Sequence, residues 1–240
     1  MMRYDGRKND DLRDFSFELD YTIHSAGSVL ARFGNTKVLC NATIEPRVPR
    51  WMTGKGEGWV TAEYGMLPAS TNTRNIREST KGKQSGRTLE IQRLIGRSLR
   101  GAVDLKLLGE KSILIDCDVL QADGGTRTTA INGAYIALKL AINTLIHDNE
   151  INEDPIKKFL GAISVGVFKN EAILDLNYFE DSKAETDMNI IMNNDGEFIE
   201  IQGTAESGTF NAEQLNSMLK LADKGIREII EKQKKIFGEN

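Results

Sequence analysis

A chain of 240 residues can bury a substantial core in one large domain or in two small fused halves. Apolar residues at 40% and charged residues at 28% are the balance of a globular protein, and four prolines leave little room for a disordered linker. The formal net charge of −4 excludes a generally basic surface, so any nucleic-acid site must be a local patch.

The N-terminus, Met1 to Asp10, is charged and lacks a hydrophobic signal region. Phe15, Phe17, Leu19, Tyr21 and Ile23 alternate with polar residues, which predicts a half-buried strand. After Ser25-Ala26-Gly27, strands are expected over 28–33 and 37–44, joined by a turn at Gly34-Asn35-Thr36. A Gly-rich loop leads to a strand over 59–66, and helical spacing of Ile91, Leu94, Ile95 and Leu99 marks a helix over 89–100. Arg93, Arg97 and Arg100 share another face of that helix. A strand over 112–120 precedes a largely apolar helix over 128–146, read as sandwiched between other elements. Lys139, Asn143 and Thr144 interrupt its apolar run, so neither a membrane span nor a membrane partner is expected, and a cytoplasmic location is.

Polar residues 147–158 read as the connection between halves. Beyond it, segments 163–168 and 172–176 flank a turn, and 187–192 and 198–201 flank the hairpin turn Asn193-Asn194-Asp195-Gly196. Asn211 with Gln214 resembles a capping box opening a long final helix. Hairpins followed by helices, twice over, predict an α+β fold with an internal duplication: one domain over 1–240, halves of about 1–147 and 161–240, and a connection of about 148–160. Cys40 and Cys117 fall in buried strands at no metal or redox spacing and read as core, and with only two His a zinc site is not expected.

Charge is unevenly placed: residues 74–100 carry eight cations against Glu78 and Glu90, while 170–216 carry eleven acids against Lys183. Three segments could do chemistry. Asp123-Gly124-Gly125-Thr126-Arg127-Thr128 joins a strand to a helix, where glycines free backbone N–H groups and the helix N-terminus favours an anion. Arg127 would add a two-pronged clamp; a Gly turn with a solvated Arg is the other reading. Gly86-Arg87-Thr88 puts another arginine near a helix start, and the polar loop carrying Arg74 and Arg77 could grip an RNA backbone, although each alone reads as a solvated arginine. Asp181 and Asp187 bracket a loop–strand junction where two carboxylates could hold Mg²⁺ or deliver a proton, or form a plain acidic loop.

In this order, these segments resemble the RNase PH family almost end to end. The matching blocks are Arg3 to Arg7, Gly27 to Leu30, Gly58 to Pro68, Gly86 to Arg97, Leu120 to Arg127, Glu180 to Asn189 and Ile201 to Glu206. The resemblance implies a fold like domain two of ribosomal protein S5, duplicated within the chain, and a homohexamer built as a trimer of dimers. It implies a phosphorolytic 3′→5′ exoribonuclease that trims transfer-RNA precursors by moving terminal nucleotides onto inorganic phosphate. It further implies phosphate binding by Arg87, Gly125, Thr126 and Arg127, and catalysis by Asp181 and Asp187, one or both of them serving Mg²⁺. RNA contact would fall to Arg74, Arg77 and Arg93. Three positions depart from the family: Ala69 in place of an Arg, Asn177 in place of a frequent Asp, and Asp14 in place of a Pro. The alternatives are a ring subunit that grips RNA without catalysis and an active subunit of an exosome-like or polynucleotide-phosphorylase-like assembly. Retention of Arg127 and both aspartates stands against the first, and the lack of appended RNA-binding domains against the polynucleotide-phosphorylase-like form.

Overall fold

A computed structural model describes residues 3–239. Strand β1 (Phe15–Leu19) ends earlier than the alternation predicts. Asp20 turns the chain with φ +52°, a left-handed conformation that Asp tolerates, and Tyr21 and Ile23 lie exposed. β2 (Gly27–Phe33) and β3 (Thr36–Glu45) form the expected hairpin. β4 (Trp59–Met66) matches its predicted span.

The short α1 (Glu78–Lys81) precedes α2 (Gly86–Arg100). The latter starts earlier than apolar spacing shows because Ser85 caps it, its hydroxyl accepting from the Thr88 N–H at 3.1 Å. After α3 (Leu105–Leu108), β5 (Ser112–Gln121) pairs antiparallel with β3 and parallel with β4, so β4-α2-β5 is a crossover unit. The first sheet has the order β1-β2-β3-β5-β4.

Helix α4 (Thr126–His147) touches β2, β3 and β5 of the first sheet and β6 of the second, and most of its residues are buried. It is the one helix among the described residues long and apolar enough to cross a membrane, and 78% of its apolar window is buried inside the protein. Its Lys139 is buried too, paired with Glu239 at 2.7 Å. The polar connection is fastened rather than loose: Ile151 is buried, and the Asp104 N–H donates to the Pro155 carbonyl at 2.8 Å.

The second sheet, β7-β6-β8-β9, comprises β6 (Leu160–Phe168), β7 (Glu171–Leu174), β8 (Thr186–Asn193) and β9 (Phe198–Ala205). Between β7 and β8 lies α5 (Tyr178–Asp181), and α6 (Ala212–Phe237) covers β6, β7 and β8. The predicted capping box of Asn211 and Gln214 is present, and Asn177 forms a second one with Glu180. Cys40 and Cys117 face each other across β3 and β5, free and buried. The architecture is α+β, with mixed sheets against long helices.

Candidate active site

Three tight features bring residues far apart in sequence to one cleft of about 780 Å³. The first is the turn between β5 and α4. Gly124 has φ +73°, and a Cβ there would stand 2.5 Å from the Leu176 carbonyl oxygen, so the loop before α5 can approach only a glycine. Gly125 takes φ +61° as the residue before α4, and Thr126 and Arg127 begin the helix. Thr36 holds the turn, accepting from the Asp123 N–H and donating to the Gly124 carbonyl.

The second feature is a bracket around Arg127. Its Nη1 donates to Gln202 Oε1 at 2.8 Å and lies 3.6 Å from Glu90 Oε1, while Gln202 Nε2 donates to Glu90 Oε1 at 2.7 Å. A residue from α2 and one from β9 thus aim an α4 guanidinium that is only 15% exposed. Arg87, one turn before Glu90, lines the same cleft and is exposed. Both arginines act on Tyr64, whose hydroxyl lies 3.0 Å from Thr126 Oγ1; burial pushes the phenol up while Thr126, Arg87 and Arg127 pull it down.

The third is the carboxylate pair. Asp187 stands on β8 opposite Thr204 of β9, and Asp181 closes α5. Burial lifts the Asp181 carboxyl above its ordinary range against the pull of Arg87 and Arg127. Asp187 is raised to about 6, by burial first and the neighbouring Asp181 charge second, with Arg127 and Arg87 opposing. Glu206, just past β9, pushes both upward. The pair therefore holds a proton more readily than free carboxylates.

Buried arginines from the N-terminal segment build the floor under α5. Arg13 grips Asp175 with Nε at 3.0 Å and Nη2 at 2.6 Å, and its Nη1 donates to the Asp123 carbonyl at 2.5 Å. Arg3 holds Glu180 through two donors at 2.7 and 2.5 Å. One guanidinium thereby links the glycine turn to the segment leading to Asp181.

The structure brings Arg87, Gly125, Thr126, Arg127, Asp181 and Asp187 together. Arg74 and Arg77 do not line the cleft; their loop reaches it through Thr71, Asn72, Thr73 and Asn75. Arg93 is exposed on α2, outside the cleft. Its helical companions have internal partners: Arg97 pairs twice with Glu200, and Arg100 stacks 4.3 Å from the Trp59 ring centroid. Glu90, Gln202, Glu206 and Arg13 had no assigned role in the sequence reading. Glu90, Gln202 and Glu206 sit within blocks carrying the family resemblance, but only pairing across 112 positions reveals the Glu90–Gln202 bracket.

Among the described residues no three His, Cys, Asp or Glu side chains cluster as a ready metal cage. Asp181 and Asp187 give an oxygen-only, two-carboxylate donor set, which fits Mg²⁺, a cation that takes few carboxylates and completes its shell with phosphate and water.

Models of the 3′ exoribonuclease family match the chain twice, domain 1 over residues 11–142 and domain 2 over 158–225. Ribonuclease PH of Bacillus subtilis (strain 168) is 59% identical over 240 residues, covering 100% of this chain and 98% of its own length. Ribonuclease PH of Bacillus velezensis is 59% identical over 239 residues, 99% of this chain and 98% of that one. In three dimensions the chain is similar to rice (Oryza sativa) Rrp46, with TM-score 0.79, 21% identity and coverage of 99% and 100%. It is also similar to a chain of the Archaeoglobus fulgidus exosome with RNA bound to the active site, with TM-score 0.81, 21% identity and coverage of 96% and 92%. With both family domains in order along one chain and identity this high over its whole length, the chain belongs to the RNase PH family of 3′ exoribonucleases.

Proposed function

We propose that this chain shortens RNA from its 3′ end by phosphorolysis, releasing nucleoside diphosphates, and that its substrates are transfer-RNA precursors. One observation carries the reading: Arg87 and Arg127 open into the same cleft as Asp181 and Asp187. Inorganic phosphate held by Arg87, Arg127 and the Gly125–Thr126 backbone would lie in line with the terminal phosphodiester. A phosphate oxygen bonds to that phosphorus, the bond to the penultimate 3′ oxygen breaks, and the departing oxygen takes a proton. The arginines reduce the repulsion between two anions held side by side.

Asp181 and Asp187, with protonation favoured by their burial, are the groups placed to hand over that proton and to hold a Mg²⁺ ion. When bound, the cation supplies charge stabilisation for the transferring phosphoryl group. Arg74, Arg77 and Arg93, outside the cleft, would track the RNA backbone leading into it. The site draws on both halves of the chain, which supports treating residues 1–240 as one functional unit. Exposed Phe198 and Ile201 on the edge strand β9 support assembly, and the proposed form is the family's homohexamer. We place the reaction in the cytoplasm, where RNA precursors and phosphate meet. Retention of Arg127, its bracket and both aspartates speaks against a ring subunit that only grips RNA.

The test is direct. Purified protein with 3′-extended transfer RNA and Mg²⁺ should shorten it and release nucleoside diphosphates only when phosphate is added. Shortening that needs no phosphate, or release of monophosphates, would refute phosphorolysis.

A further inference from the structure

Among the described residues lining the cleft there is a single aromatic ring, Tyr178. It opens α5 three positions before Asp181, so the two side chains leave neighbouring points of one helical turn, about 5–6 Å apart at Cβ. Its backbone N–H donates to Asp123 Oδ1 at 3.2 Å, which fixes the root of the ring to the glycine turn. The next residue, Phe179, already has company: Tyr4 stacks on it at 5.1 Å, and Lys183 Nζ lies 3.7 Å from its centroid. Tyr178 has no ring or cation partner among the described residues and stays 57% exposed. An unpartnered aromatic face in a cleft lined mostly by polar side chains suits a flat apolar ligand.

We infer that Tyr178 is the stacking platform for the base of the RNA's 3′-terminal nucleotide. The inference rests on the phosphorolytic reading of this cleft. With the terminal phosphodiester between the two arginines and the two aspartates, the terminal base must lie within one nucleotide's reach of Asp181. The ring beside Asp181 is the aromatic surface available there. Every base offers a π face, so such a platform holds any of the four without reading its identity. The site then requires a base but is indifferent to which one.

The experiment uses synthetic RNAs of one sequence that end in each of the four bases or in an abasic nucleotide. Shortening on a gel gives KM and kcat for the wild type, Tyr178→Phe and Tyr178→Ala. For the wild type, the four bases should differ little and the abasic end should raise KM about ten-fold, the size of one lost base–aromatic stack. Tyr178→Phe should match the wild type. Tyr178→Ala should raise KM about ten-fold on ordinary ends, lose nothing further on the abasic end, and keep the wild-type KM for phosphate. If Tyr178→Ala still discriminates against the abasic end as the wild type does, the ring is not the platform. Equilibrium binding of the same RNAs without phosphate separates the two readings: discrimination that depends on Tyr178 without any phosphate-dependent shortening would overturn phosphorolysis and leave the platform standing.

Discussion

Asp187 is the residue whose chemistry departs furthest from its free state of the two carboxylates proposed for catalysis. Its carboxyl is raised to about 6, by burial and then by Asp181. A carboxyl raised in the folded protein binds more protons there than in the unfolded chain between about pH 4 and 6. Stability from this group is therefore lost as pH rises through that window and stays lost above it. Asp187→Asn should thus raise the unfolding free energy at pH 7.5 without divalent cations by on the order of 1–3 kcal/mol, read from urea unfolding, with little change at pH 4. The same variant should abolish turnover while leaving RNA binding in place; unchanged turnover would remove Asp187 from the chemistry. For Arg127→Ala, the expected result is a phosphate KM at least ten-fold higher, measured at saturating RNA. The Asp123–Arg127 turn was legible in sequence because glycines, a helix start and an arginine are contiguous. Glu206 was not, since an isolated acid shows its role only once β9 brings it beside Asp181 and Asp187.

At the scale of elements, the question is what holds α5 against the glycine turn. Asp175 is fully buried; burial alone would raise its carboxyl, yet Arg13 holds it below the ordinary range. Arg7 Nη1 stays 3.6 Å from the Asp175 carboxylate, so removing Arg13 leaves this buried charge only partly compensated, and Arg13→Ala should cost on the order of 3 kcal/mol in urea unfolding. Adding Asp175→Asn should recover part of that loss, because Asn tolerates the +53° φ of this position and carries no charge. Stability unchanged in the single variant would show that the clamp is incidental. Gly124→Ala should be harmful in a different way, through a strained φ and a clash with the Leu176 carbonyl, lowering kcat together with melting temperature. Sequence periodicity located the elements well where apolar residues repeat, as in β4 and α4. It failed where local backbone chemistry took over, at Asp20, which ends β1, and at Ser85, which starts α2 a turn early.

Over the whole molecule, net charge is negative while the approach to the cleft carries arginines, so RNA affinity should respond to salt through a few local contacts. Arg74→Ala and Arg77→Ala should each reduce the slope of log affinity against log salt by about 0.7, with kcat for bound RNA unchanged. Slopes equal to the wild type would take both arginines out of the RNA path. The sequence by itself determined the α+β class, the order of strands and long helices and the family, and it marked the glycine turn and the two aspartates as candidates, because each is written in contiguous periodicity or in short motifs. Tertiary structure alone decided that Glu90 and Gln202 aim Arg127, that Arg13 couples turn to loop, and that Tyr178 faces the cleft while Phe179 does not. Those contacts join residues far apart along the chain, and hydrogen-bond geometry and burial exist only once the two sheets have closed on α4.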